Sequence, residues 1–220
     1  MSPESIIDEL KKQSYSESEL LIGIHNYVRD NIKFGFTVDF ENVTPEKTLQ
    51  HKMGHCNAQA DLFRYLLKCA GFESRLSFVF INKSILKNAI PRIIYLLLPE
   101  NLFHAVTQVK VSEKWLSTDS YIFTKDQFYT QKNKLIESSM SEGFGIHQNS
   151  VCEWDGEADA FSQANESLSL HQIVFCDLAI AIKSENNNNK ILGINFNHIL
   201  KPISSVGSKY FQRYMNQYLI

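Results

Sequence analysis

KMGHCNAQADLFRYLLKCAGFESR, residues 52–75, sets a cysteine at the start of a helix. From about 56 to 70 the pattern is helical. Leu62, Tyr65, Leu66 and Cys69 share an apolar face, and Gly71 supplies the residue that closes it. A thiol attacks as thiolate, and the first turn of a helix favours that charge with partial positive potential and free N–H groups. Cys56 occupies that turn. Cys69, on the apolar face of the same helix, reads as a small core residue. A lone cysteine at a helix start has plain structural readings too, so the flanking sequence must decide.

Upstream, Thr44-Pro45-Glu46 reads as the start of a short helix with proline at its first position, interrupted by Gly54. Before it, Leu20, Leu21, Ile24, Tyr27, Val28 and Ile32 recur at helical spacing, which predicts a helix over 17–33. His25 sits beside that stripe as a packing or surface histidine. Downstream, RLSFVFI (75–81), HAVTQVKV (104–111) and KWLSTDSY (114–121) read as strands. An apolar insertion, expected to be helical, lies at 82–103.

The last two strands flank Ser112-Glu113, which reads as a two-residue hairpin loop. Val111 then faces Lys114, and Asp119 faces Val106. Side chains alternate along a strand, so His104 and Asp119 share a face as diagonal neighbours, roughly 7–8 Å apart at Cα. One ring nitrogen of His104 can meet Asp119 while the other faces a cysteine. That is the arrangement of a nucleophile, a general base and an orienting carboxylate. An exposed strand histidine beside a turn aspartate is the alternative on spacing alone.

With these residues in view, TPEKTLQHKMGHCNAQADLFRYLLKCAGFESRLSFVFI and HAVTQVKVSEKWLSTDS resemble the three motifs of the transglutaminase-like superfamily. The likeness covers roughly residues 20–121. It implies a papain-like α+β fold, with a helix bearing Cys56 packed on an antiparallel sheet bearing His104 and Asp119. It also implies Cys56 as nucleophile, His104 as base and acid, and Asp119 as orienting residue. Gln50 enters as an oxyanion donor only because papain-like enzymes carry a glutamine six residues before the cysteine. Ala105-Val106 after the histidine, where many members have an aromatic, and the long insertion depart from the pattern.

The chemistry so implied is thioester-forming acyl transfer or hydrolysis on a peptide or protein amide, without a cofactor. Water as acceptor gives a protease, amidase or deamidase; a lysine amine gives a cross-linking enzyme. The triad is the same for each. A catalytically silent peptide-binding scaffold and a coenzyme-dependent acetyltransferase are the competing classes. His55 beside the thiol, and Trp154 and Asp155 in a polar segment at 147–170, are candidate substrate contacts.

A net charge of −2 over 220 residues gives no electrostatic case for nucleic acid or an anionic membrane. Cys56, Cys69, Cys152 and Cys176 are too dispersed for a disulfide framework or a structural zinc site. No apolar run spans a bilayer, and MSPESIIDELKKQ lacks the order of a secretory signal, so the expected setting is cytoplasmic or exported without a signal peptide. One domain over 1–220 is the economical organisation, with 125–170 as long loops carrying some helix. Segments 174–182 and 190–197 are expected to form a hairpin, and 209–220 a terminal helix.

Overall fold

The computed structural model describes residues 2–165, 172–191, 193–200 and 208–219. Helix α1 (Pro3–Gln13) starts at Ser2, whose hydroxyl accepts the Ser5 N–H, with proline where its missing N–H costs nothing. No helix is expected here from the apolar spacing, although Ser2-Pro3-Glu4 is a helix-start pattern. Helix α2 (Glu17–Asn31), capped by Ser16, buries Leu20, Leu21, Ile24 and Val28 as expected.

Strand β1 (Lys33–Phe34) follows, then α3 (Pro45–His51), which ends when Lys52 turns left-handed at φ 51°. Gly54 is therefore not the helix breaker. It lies in β2 (Met53–Gly54), parallel to β1, where a Cβ would come within 3.0 Å of Thr48 and 3.2 Å of Ala58. Only a glycine lets α3 approach the next helix so closely.

That helix, α4 (Cys56–Ala70), is the axis of the molecule. Its burial extends well beyond the expected stripe. Asn57, Gln59, Asp61 and Arg64 are buried alongside Leu62, Phe63, Leu66 and Leu67, while Tyr65 and Cys69 are only half-buried. Several buried polar groups on it are matched to partners. Gln59 Nε2 donates to the carbonyls of Ile32 (2.8 Å) and Ile122 (2.9 Å), and Arg64 pairs with Asp61 at 2.8 Å.

Then come β3 (Ser74–Asn82), a short 3-10 turn (Lys83–Leu86), α5 (Arg92–Leu97), β4 (Asn101–Val111), β5 (Lys114–Thr118) and α6 (Lys125–Glu137). A small hairpin of β6 (Glu142–Gly143) and β7 (Ile146–His147) precedes β8 (Ile173–Phe175) and α7 (Leu178–Ala181). Strands β9 (Lys190–Ile191) and β10 (Ile194–Asn195), α8 (Phe196–Leu200) and α9 (Ser208–Asn216) complete the described chain. The central sheet runs β5-β4-β3-β8, antiparallel throughout. Helix α4 packs on it through β3 and β4, around the buried rings of Phe63, Phe78, Phe103 and Tyr121.

The expected hairpin between 174–182 and 190–197 does not form. Strand β8 pairs with β3 instead, 178–181 is helical, and β9 pairs with β10. The end of the 147–170 segment lies outside the described residues. Among the described residues, no helix is long and apolar enough to cross a membrane.

Candidate active site

Both residues of the Ser112-Glu113 loop have positive φ, 46° and 68°, the backbone of a two-residue hairpin turn. The register follows: Val111 faces Lys114 and Thr107 faces Thr118. His104 and Asp119 thereby share a face, and His104 Nε2 donates to Asp119 Oδ2 at 2.7 Å. Both side chains are buried.

Asp119 is held by more than the hairpin. The 150–165 segment returns to lie along β5, where Ala160 bridges Thr118 and accepts the Asp119 N–H at 3.1 Å. Three successive backbone N–H groups then converge on the carboxylate. Ser162 donates to Oδ1 at 2.5 Å, Ala164 to Oδ2 at 2.8 Å, and Gln163 reaches both oxygens at 3.3–3.4 Å. Such a nest of amides fixes an anion without any cationic side chain.

The other nitrogen of His104, Nδ1, is buried and has no hydrogen-bond partner. Cys56, half-buried at the first residue of α4, lines the same cavity as His104, and its Sγ donates to Asn57 Oδ1 at 3.5 Å. Burial opposes a charged imidazole, but the charge of Cys56 and then the hydrogen bond to Asp119 outweigh it, raising His104 to about 10.

The other expected site residues are placed differently. Gln50 is exposed on α3 and does not line the cavity beside Cys56. Trp154 is a core residue, packed on His25 and Phe63 with Nε1 donating to the Ala158 carbonyl at 2.7 Å. Asp155 accepts the N–H groups of Glu157 and Ala158, which hold its carboxyl below the usual range. These two pin the strap that carries the Asp119 nest and do not line the cavity. His25 is buried, with Nε2 on Ser120 Oγ at 2.8 Å. His55 does line the cavity, stacked on Phe40 at 4.3 Å between ring centres. Both its ring nitrogens are buried and unpartnered, and burial, then the His104 charge, push it down to about 3.

A second buried carboxylate lies beside the site. Glu41 accepts Asn57 Nδ2 at 2.7 Å, Asn189 Nδ2 at 2.6 Å and Asn197 Nδ2 at 3.4 Å. Burial raises its carboxyl, and the amide hydrogen bonds pull the other way. The same two amides, Asn57 and Asn189, donate to the Phe103 carbonyl, so Glu41 braces the neighbours of both Cys56 and His104. The only signal was the run at 186–189, four asparagines without the glycine or proline of a plain turn. Beyond lies a cavity of about 260 Å³, reaching from Cys56 and His104 to α5 and α9.

The transglutaminase-like superfamily matches residues 4–120, just over half the chain. The chain belongs to that superfamily, a group of thiol-dependent hydrolases and acyltransferases, and its fold is the papain-like α+β type. Two solved structures share part of it. One is a proposed cysteine protease from Cytophaga hutchinsonii, 15% identical over 52% of this chain and 35% of that one, with a TM-score of 0.40. The other is a proposed protease from Parabacteroides distasonis, 14% identical over 52% and 22%, with a TM-score of 0.36. The matches thus span about a third or less of those relatives' lengths. No curated protein matches the chain.

Proposed function

We propose that this chain hydrolyses an amide or ester acyl donor through Cys56, His104 and Asp119. The observation that carries the reading is the buried His104, bound to Asp119 at 2.7 Å through Nε2 and lining one cavity with Cys56. A raised histidine keeps its proton through neutral pH, and an imidazolium facing a thiol favours its attacking form. Cys56 Sγ attacks the carbonyl carbon, and His104 passes its proton to the leaving group as the bond to it breaks. A thioester forms. His104 then takes a proton from water, the hydroxide attacks the thioester, and the carbon–sulfur bond breaks to release the acid. Asp119 keeps the ring aimed throughout.

The oxyanion needs donors. One is the Cys56 N–H, which heads α4 and has no acceptor within the helix. Gln50 is on the wrong surface for the second. His55 stands in the cavity with an uncommitted ring N–H and takes that place in our reading.

Iodoacetamide labelling of Cys56 at pH 6, located by peptide mass spectrometry, tests the pair. The wild type should label about 100-fold faster than His104→Ala, because a lone thiol is almost wholly protonated there. Equal rates would overturn the proposal.

A further inference from the structure

The cavity of about 260 Å³ beside Cys56 is walled in hydrocarbon. Phe40, stacked on His55, and Phe103, preceding His104, lie at the thiol end. Ile94 and Leu98 from the α5 region and Met215 of α9 line it further along. Helix α5 contributes no buried residue of its own, so Ile94 belongs to a thin apolar wall whose outer face carries Ile93 and Leu96.

The amide side chains around the space are already committed. Asn57 and Asn189 serve Glu41 and the Phe103 backbone, and Gln163 Nε2 donates to the Gly145 carbonyl. Among the described residues, His55 and His104 line it with nitrogens lacking a hydrogen-bond partner. A peptide threaded inside would leave N–H and C=O groups unpaired, each weakening binding about tenfold. A hydrocarbon chain needs no partner and gains about fourfold for every methylene buried. At roughly 10–15 Å³ of such space for one water, a cavity of about 260 Å³ has room for a chain of at least eight methylenes.

We propose that the acyl group accepted by Cys56 is a medium-length fatty acyl chain, seated in this cavity with its leaving group outside. The assignment rests on the acyl-transfer reading above and deepens it. The chain's one polar atom, the carbonyl oxygen, then falls at the thiol end, beside His55 and the Cys56 N–H. Attack by Sγ forms the acyl–sulfur bond and breaks the bond to the leaving group, which departs with the His104 proton. Water then releases the fatty acid and restores the proton to His104.

A series of p-nitrophenyl esters from acetate to dodecanoate, kept below micelle-forming concentrations, reads the cavity directly. We expect kcat/KM to rise about fourfold per methylene from acetate to octanoate, with the acyl mass found on Cys56. Ile94→Glu should lower the octanoate value at least tenfold more than the acetate value. A flat series, equal losses in Ile94→Glu, or a peptide ester that outruns octanoate would overturn the fatty-acyl assignment and leave the thiol chemistry standing. Acylation of Cys56 by none of the esters would bring down the underlying reading. Octanamide binding to Cys56→Ser separates the two without catalysis. It should raise the melting temperature where acetamide does not, and Ile94→Glu should abolish the rise. No shift with octanamide overturns the cavity assignment.

Discussion

Asp119 is surrounded by donors alone: one imidazole N–H and the amides of Ser162, Gln163 and Ala164. Asp119→Asn keeps the shape and turns one acceptor into a donor facing donors. If its amide oxygen takes the backbone nest, its NH2 faces His104 Nε2, and the ring must shift its proton to Nδ1, against the thiol. The expected cost is roughly a thousandfold in turnover, with a normal cysteine labelling rate at pH 6 lost as in His104→Ala. The check is kcat for the most reactive ester alongside that rate. A variant within tenfold of wild type on both would show that the carboxylate does not orient the histidine. Little of this nest was legible in the sequence. Nothing near 162–164 marks its backbone as a ligand, because any residue supplies an N–H.

Elements whose geometry is set locally were readable, and those set by distant contacts were not. The cysteine helix announces itself through spacing and Gly71, which takes φ 103°. The hairpin follows from loop length and alternation, and its register brings His104 to Asp119. By contrast, the three-residue β8 is defined only by pairing with β3, nearly a hundred residues earlier in the chain. The cavity walls, α5 and α9, read simply as apolar segments because a wall and a core demand the same residues. The hairpin itself supports a prediction. Ser112 and Glu113 hold positive φ without being glycine or asparagine, and Glu113 makes only an exposed contact with Lys110. Replacing the pair by Asn-Gly should stabilise the protein by about 1 kcal/mol, or roughly 2–4 °C at this chain length. Differential scanning fluorimetry would read it. Unchanged activity should accompany the gain, since the register is preserved; a lower melting temperature would mean that the turn is not strained.

Among the described residues, two histidines are buried neutral at separate places. Burial lowers His25 to about 4 at the α2–Trp154 contact, and His55 to about 3 in the cavity. Between those values and the ordinary 6.5, the unfolded chain binds protons that the folded chain refuses, so stability falls as pH drops below about 6.5. His104 has the opposite sign. Its contribution is complete below 6.5 and is lost as pH rises through about 10. Burial raises the Glu41 and Asp61 carboxyls, so the folded state holds their protons more tightly and they offset part of the acid slope. The net dependence is therefore a sum, and a difference between variants isolates one group. His25→Leu removes up to one proton from the balance between pH 4.5 and 6, a change in slope of about 1.4 kcal/mol per pH unit at most. It also costs the Ser120 hydrogen bond, which lowers stability at every pH without altering the slope. Urea unfolding at several pH values separates the two effects. A flatter acid limb on a lower baseline is the expected result, and parallel curves would mean that His25 takes up its proton without unfolding the core.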